Sequence, residues 1–106
     1  SLSKNKLIHL QPLSVLDTLV TLNINHNKVY NLSPLCELTN LEELYASNNQ
    51  IANIDPLQNL TNLRILNLYN NKIVHFESTY STLEKLKELE DLDIEENPFY
   101  SEELRK

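Results

Sequence analysis

The sequence predicts an α/β solenoid, with a concave parallel β-sheet on one side and short helical or 3-10 turns on the convex side. Three observations predict it. First, Leu41, Leu44, Asn49 and Ile51 return 22 positions later as Leu63, Leu66, Asn71 and Ile73, and 22 positions earlier as Leu19, Leu22, Asn27 and Val29. A fixed period of that size means stacked units, each too small to bury its apolar face alone. Second, stretches such as Leu66-Asn67-Leu68-Tyr69 alternate with period two, as a half-buried strand does. Third, Ser33-Pro34 and Asp55-Pro56 place a capping side chain before a proline that suits the first helical position.

The chain divides by spacing. A partial first repeat supplies Leu2, Asn5, Leu7, Leu10, Leu13 and Leu16. The second gives Leu19, Leu22, Ile24, Asn27, Val29, Leu32, Leu35 and Leu38, and the third Leu41, Leu44, Ala46, Asn49, Ile51, Ile54, Leu57 and Leu60. Ala46 is undersized for its place. The fourth repeat begins Leu63, Leu66, Leu68, Asn71, Ile73, Phe76, but Leu83, Leu86 and Leu89 arrive late, so the next Asn is Asn97. There Ser81-Thr82-Leu83-Glu84 has the form of a capping box and predicts a helix near 82 to 88. Gln11-Pro12 is a weaker turn start. The recurrent asparagines, Asn5 to Asn97, follow each strand, where an amide can satisfy backbone groups the sheet leaves unpaired. Glycine is absent, so left-handed turn positions are expected to fall to Asn.

Composition narrows the function. The net charge of −6 repels phosphate backbones and argues against nucleic acid as partner. No apolar run is long enough for a membrane span, and the opening residues do not read as a signal peptide. The lone Cys36 leans towards a reducing compartment, hence a cytoplasmic location.

Strand alternation sets four outward rows: Thr21, Glu43, Ile65, Asp91; Asn23, Tyr45, Asn67, Asp93; Asn25, Ser47, Tyr69, Glu95; and His26, Asn48, Asn70, Glu96. Tyr45, Ile65 and Tyr69 then gather beside Glu43, Asn67, Asp91, Asp93 and Glu95. Exposed aromatic and aliphatic side chains rimmed by polar groups are the composition of a protein contact. Tyr and Ile are also good strand residues on any sheet, which is the plainer account of them. The carboxylates fit a solvated acidic face or a partner with a basic surface. A catalytic pair would need two carboxyls in different environments, and these share one wet rung.

Other chemistry finds no footing. His9, His26 and His75 share no metal-ligand spacing. Cys36 is placed in a convex turn away from any histidine, so packing is its expected role. Asn31-Leu32-Ser33 and Asn59-Leu60-Thr61 match a glycosylation sequon, yet Asn and Thr recur here for structural reasons. Neither enzyme activity nor a cofactor is expected.

The pattern Leu-x-x-Leu-x-(Leu/Ala/Ile)-x-x-Asn-x-(Ile/Val) resembles the leucine-rich repeat of the 22-residue class, typified by the regulatory subunit of the type-one protein phosphatase. The whole chain, 1–106, is read as one such domain, a fragment with a partial first repeat and a capping segment cut short from about residue 97. Leu38-Thr39-Asn40-Leu41 and Leu60-Thr61-Asn62-Leu63 are also similar to repeats of bacterial internalins. Asn70-Asn71-Lys72-Ile73, Leu89-Glu90-Asp91-Leu92 and Asn97-Pro98-Phe99-Tyr100 resemble the last repeats of eukaryotic members such as the leucine-rich light chain of axonemal dynein. The resemblance implies an intracellular adaptor or regulatory subunit that binds a protein on its concave sheet. The alternative is a fragment of an internalin-like surface adhesin.

Overall fold

The computed structural model describes residues 10–98. The readings of Leu2, Asn5, Leu7 and His9, and of the capping segment after Pro98, lie outside the described residues. A 3-10 turn (Gln11–Val15) leads into β1 (Thr21–Asn23). A second (Ser33–Leu35) precedes β2 (Glu43–Tyr45), and a third (Asp55–Asn59) precedes β3 (Ile65–Asn67). The helix α1 (Phe76–Glu84) then leads to β4 (Asp91–Asp93). The strands form one parallel sheet in the order β1-β2-β3-β4. The expected solenoid is what forms.

Register follows the repeat. Leu22, Leu44, Leu66 and Leu92 stand opposite one another along the sheet. Behind the sheet Ile24, Val29, Leu35, Leu38, Leu41, Leu44, Ile51, Leu57, Leu60, Leu63, Leu68 and Ile73 are all fully buried. Each such aliphatic side chain contributes roughly 1.5–3 kcal/mol by leaving water. Ala46 is fully buried too, in the place that Ile24 and Leu68 fill in the neighbouring repeats.

The buried asparagines join one repeat to the next. Asn49 donates through Nδ2 to the carbonyls of Ala46 at 3.2 Å and Ser47 at 3.0 Å, and to Ile24 of the preceding repeat at 2.9 Å. Its Oδ1 accepts the Val29 amide at 3.0 Å. Asn71 repeats this with Leu68, Tyr69, Ala46 and the Ile51 amide, and Asn97 with Ile94, Glu95, Leu68 and the Ile73 amide. A carboxylate has no donor and an aliphatic residue has neither group, so only an amide of this length closes the set. A second ladder runs near the entry to the strands. Asn40 Nδ2 donates to the Asp17 carbonyl at 3.0 Å, and Asn62 Nδ2 to that of Thr39 at 2.9 Å. Its signal was the Thr39-Asn40 and Thr61-Asn62 recurrence.

Three expectations need correction. The helix spans Phe76–Glu84, not 82 to 88, and its N-cap is His75. The additional residues fall between Phe76, 22 after Ile54, and Leu83, whose carbonyl accepts from Leu86 as that of Leu57 accepts from Leu60. They lengthen the convex turn from its start, so Ser81 and Thr82 sit inside the helix and cap nothing. Thr82 is buried and donates to Asp55 Oδ1 at 3.3 Å, tying α1 to the preceding repeat. Next, Ser33 and Asp55 make no side-chain cap bonds. Their own amides donate to Asn31 Oδ1 and Asn53 Oδ1, each at 2.9 Å, so the asparagine two residues earlier starts the turn. Last, left-handed backbone occurs at His26, Asn48, Asn70 and Glu96, with φ of 59, 58, 57 and 61°. Each of the four described repeats takes that conformation just before its buried asparagine, and of these the middle two supply Asn for it.

Candidate protein-binding face

The strands are three residues long, so only the first two outward rows lie on the sheet itself. Thr21, Glu43, Ile65 and Asp91 are in register, as are Asn23, Tyr45, Asn67 and Asp93. Glu43, Ile65, Tyr45, Asn67 and Asp93 are half-buried, and Asp91 is exposed. The third row belongs to the turns beyond the strands. Tyr69 (38% exposed) and Glu95 face solvent there, but Ser47 is buried at 7%, against the outward place alternation gave it. The equivalent Tyr69 and Glu95 stay exposed, so it is the short side chain of Ser47, in the same row between Asn25 and Tyr69, that is covered there.

Those turns are closed by residues of the second row. Asn23 Oδ1 accepts the Asn25 amide at 3.0 Å, Asn67 Oδ1 that of Tyr69 at 3.0 Å, and Asp93 Oδ1 that of Glu95 at 3.1 Å. This is the short Asx turn, in which the side chain bonds its own backbone two residues on. Asn67 and Asp93, read from sequence as contact residues, therefore carry a structural bond as well. Tyr45 occupies the same row and cannot make it. The Ser47 amide instead donates to Asn25 Oδ1 of the preceding repeat at 2.7 Å.

Tyr45 is held from the side. Its hydroxyl donates to Glu43 Oε1 at 2.8 Å, while Glu43 Oε2 lies 3.7 Å from an Arg64 terminal nitrogen. Arg64 Nε also lies 3.8 Å from Glu42 Oε1. The hydrogen bond to Glu43 holds the Tyr45 phenol above its ordinary value. Desolvation and the charges of Glu43 and Asp91 push the same way, and Arg64 opposes them. Sequence reasoning passed over Arg64, whose place directly before Ile65 was the available signal. With Arg64 beside Glu42 and Glu43, the acids on the β4 side, Asp91, Asp93, Glu95 and Glu96, have no ion pair among the described residues.

Elsewhere the surface of the described residues offers concavities. One, of about 310 Å³, lies between the first two 3-10 turns and is lined by Gln11, Ser14, Ser33, Pro34, Cys36 and Glu37. Another, of about 420 Å³, is apolar and lies beside α1, lined by Tyr80, Leu83, Leu89 and Leu92 among others. Among the described residues no three of His, Cys, Asp and Glu are grouped to hold a metal, and no helix is long and apolar enough to cross a membrane.

Residues 39–78 match the family profile of Leucine Rich repeats (2 copies). Similar solved structures include internalin C2 of Listeria monocytogenes, 35% identical with a TM-score of 0.80 over 86% of this chain. A second internalin of that organism, inlF, is 33% identical with a TM-score of 0.82 over 88% of the chain. A leucine-rich-repeat protein of Leptospira interrogans is 28% identical with a TM-score of 0.79 over 90%. The chain spans 38%, 26% and 24% of the lengths of these three proteins. No curated protein matches the sequence at a significant level. The repeat spacing, the parallel sheet and these likenesses agree: the chain folds as a leucine-rich-repeat solenoid whose repeats are similar to those of the internalins.

Proposed function

We propose that this chain is a non-enzymatic protein-interaction module that receives a protein partner on its concave sheet. The observation that carries the reading is the side-chain division of β2 and β3. Leu44 and Leu66 fill the core, while Tyr45 and Ile65 stay at the surface with Tyr69 beside them. Large side chains kept on an open face are what a protein contact uses. The acid along β4 favours a partner with a basic surface and disfavours nucleic acid and anionic membrane.

Two settings fit the module. An intracellular adaptor or regulatory subunit is supported by the lone Cys36 and by the form of the last repeats. An internalin-like surface protein is supported by the likeness to the two Listeria structures. Fractionation of the native cells with an antibody to this chain separates them: cytosolic signal supports the adaptor, surface signal the adhesin. Binding itself is tested by capturing a partner from those cells with the chain and with Ile65→Arg, which sets a charge in mid-face. Loss of the partner by a folded Ile65→Arg supports the concave site. Equal capture by both contradicts it.

A further inference from the structure

Tyr45 breaks a rule that its neighbours keep. In β1, β3 and β4 the same register position is Asn23, Asn67 or Asp93, and each closes its own turn. In β2 that bond is absent, and the turn amide of Ser47 is served by Asn25 across the repeat boundary. The sequence has given up a local turn bond to keep an aromatic ring at mid-sheet. Departures of this kind, where a local rule is broken, concentrate at functional positions. The ring is also fixed rather than free, because its hydroxyl is tied to Glu43 and Glu43 lies beside Arg64.

The surroundings name the chemistry. The carboxylate of Glu43 accepts from the phenol, and Ile65 and Asn67 flank on β3 before the acids of β4. A tyrosine face is a seat for a cation, through its negative ring quadrupole. The same negative surroundings hold the phenol proton tightly. We propose that Tyr45 is the specificity-determining residue of the concave face, and that it receives a lysine or arginine side chain of a partner's polypeptide. The alkyl stem lies along Ile65, the charge sits over the Tyr45 ring beside Glu43, and the β4 acids attract it at longer range. This rests on the concave-face reading above.

The test selects peptides from a random displayed library against the full chain, then synthesises an enriched peptide with its basic residue intact or replaced by glutamine. Enriched peptides are expected to share Lys or Arg, and the glutamine version to bind about tenfold more weakly or worse. Tyr45→Asn restores the local turn bond, so its denaturation midpoint should equal or exceed that of the parent while binding falls about tenfold. Tyr45→Phe keeps the ring and should keep most of the binding. Failure to enrich, enrichment without basic residues, early unfolding of Tyr45→Asn, or unchanged binding by it each overturns the proposal. Ile65→Arg separates the levels. Loss with Ile65→Arg but not with Tyr45→Asn keeps the concave face and removes Tyr45, whereas binding that survives both removes the face as well.

Discussion

The third repeat and the fourth are built from one pattern but are not equally finished. In the third, Leu44, Ile51, Leu57 and Leu60 are completely buried, and repeats on both sides cover them. In the fourth, Leu83 is only partly buried, as are Leu89 and, on the strand that follows, Ile94; Leu92 on that strand is 39% exposed, and a concavity lies beside α1 among the described residues. The sheet ladder and the asparagine bonds are nevertheless the same in both. Backbone geometry thus propagates from repeat to repeat, while burial depends on having a neighbour on each side. That is the quasi-one-dimensional behaviour of a solenoid, whose stability sums repeat and interface contributions.

The comparison breaks most visibly in the core. Leu57→Ala should destabilise by about 2–5 kcal/mol, as a truncation at a closed site does. Leu83→Ala, at the partly covered position that replaces it in the fourth repeat, should cost less than half as much in urea denaturation. Equal losses would mean that the end of the solenoid is as closed as the middle. Asn49→Ala comes next. It removes bonds to three carbonyls and one amide and should cost ~1–3 kcal/mol. An unchanged midpoint would show that water serves this turn.

Smaller effects sharpen the turn chemistry. Glu96→Asn places before Asn97 the residue that Asn70 supplies before Asn71 in the fourth repeat, and should stabilise by roughly 0.5–1 kcal/mol because Asn tolerates left-handed backbone better. A loss would mean that the Glu96 side chain does something further. The smallest effect concerns pH. Since the folded Tyr45 phenol titrates above its ordinary value of 10.0, its proton is held more tightly folded than unfolded. Its contribution is complete below the unfolded value near 10 and is lost as pH rises through the folded value. Tyr45→Phe should flatten that decline, and an unaltered slope would place its cause at other groups.

Much of this architecture was legible because its causes are periodic. Leu44, Asn49 and Ile51 repeat at a spacing that only stacking explains, and the register of Glu43 with Ile65 and Asp91 followed from it. Readings failed where a local signal competed with the repeat. Ser81-Thr82 imitates a cap inside α1, and Ser33 and Asp55 stand where the preceding Asn31 and Asn53 already supply the bond. Ser47 was placed outward with Tyr69 and Glu95, but alternation gives a direction and not how far a short side chain reaches. The Tyr45–Glu43–Arg64 arrangement was out of reach for a different reason. It joins adjacent strands through side-chain tips, and spacing along a chain does not specify tips.

The central claim is a division of labour along one strand, the inward side chain building the frame and the outward one serving recognition. Denaturation midpoints of Leu44→Ala and of the double variant Tyr45→Ala, Tyr69→Ala test it most directly, since Leu44 and Tyr45 are sequence neighbours on β2. The account predicts a loss of about 2–5 kcal/mol for Leu44→Ala. For the tyrosine pair it predicts a loss well below that of Leu44→Ala, because Tyr69 is exposed and Tyr45 only half-buried. Early unfolding of the tyrosine variant, on a scale like that of Leu44→Ala, would contradict the account, because the rings would then belong to the frame.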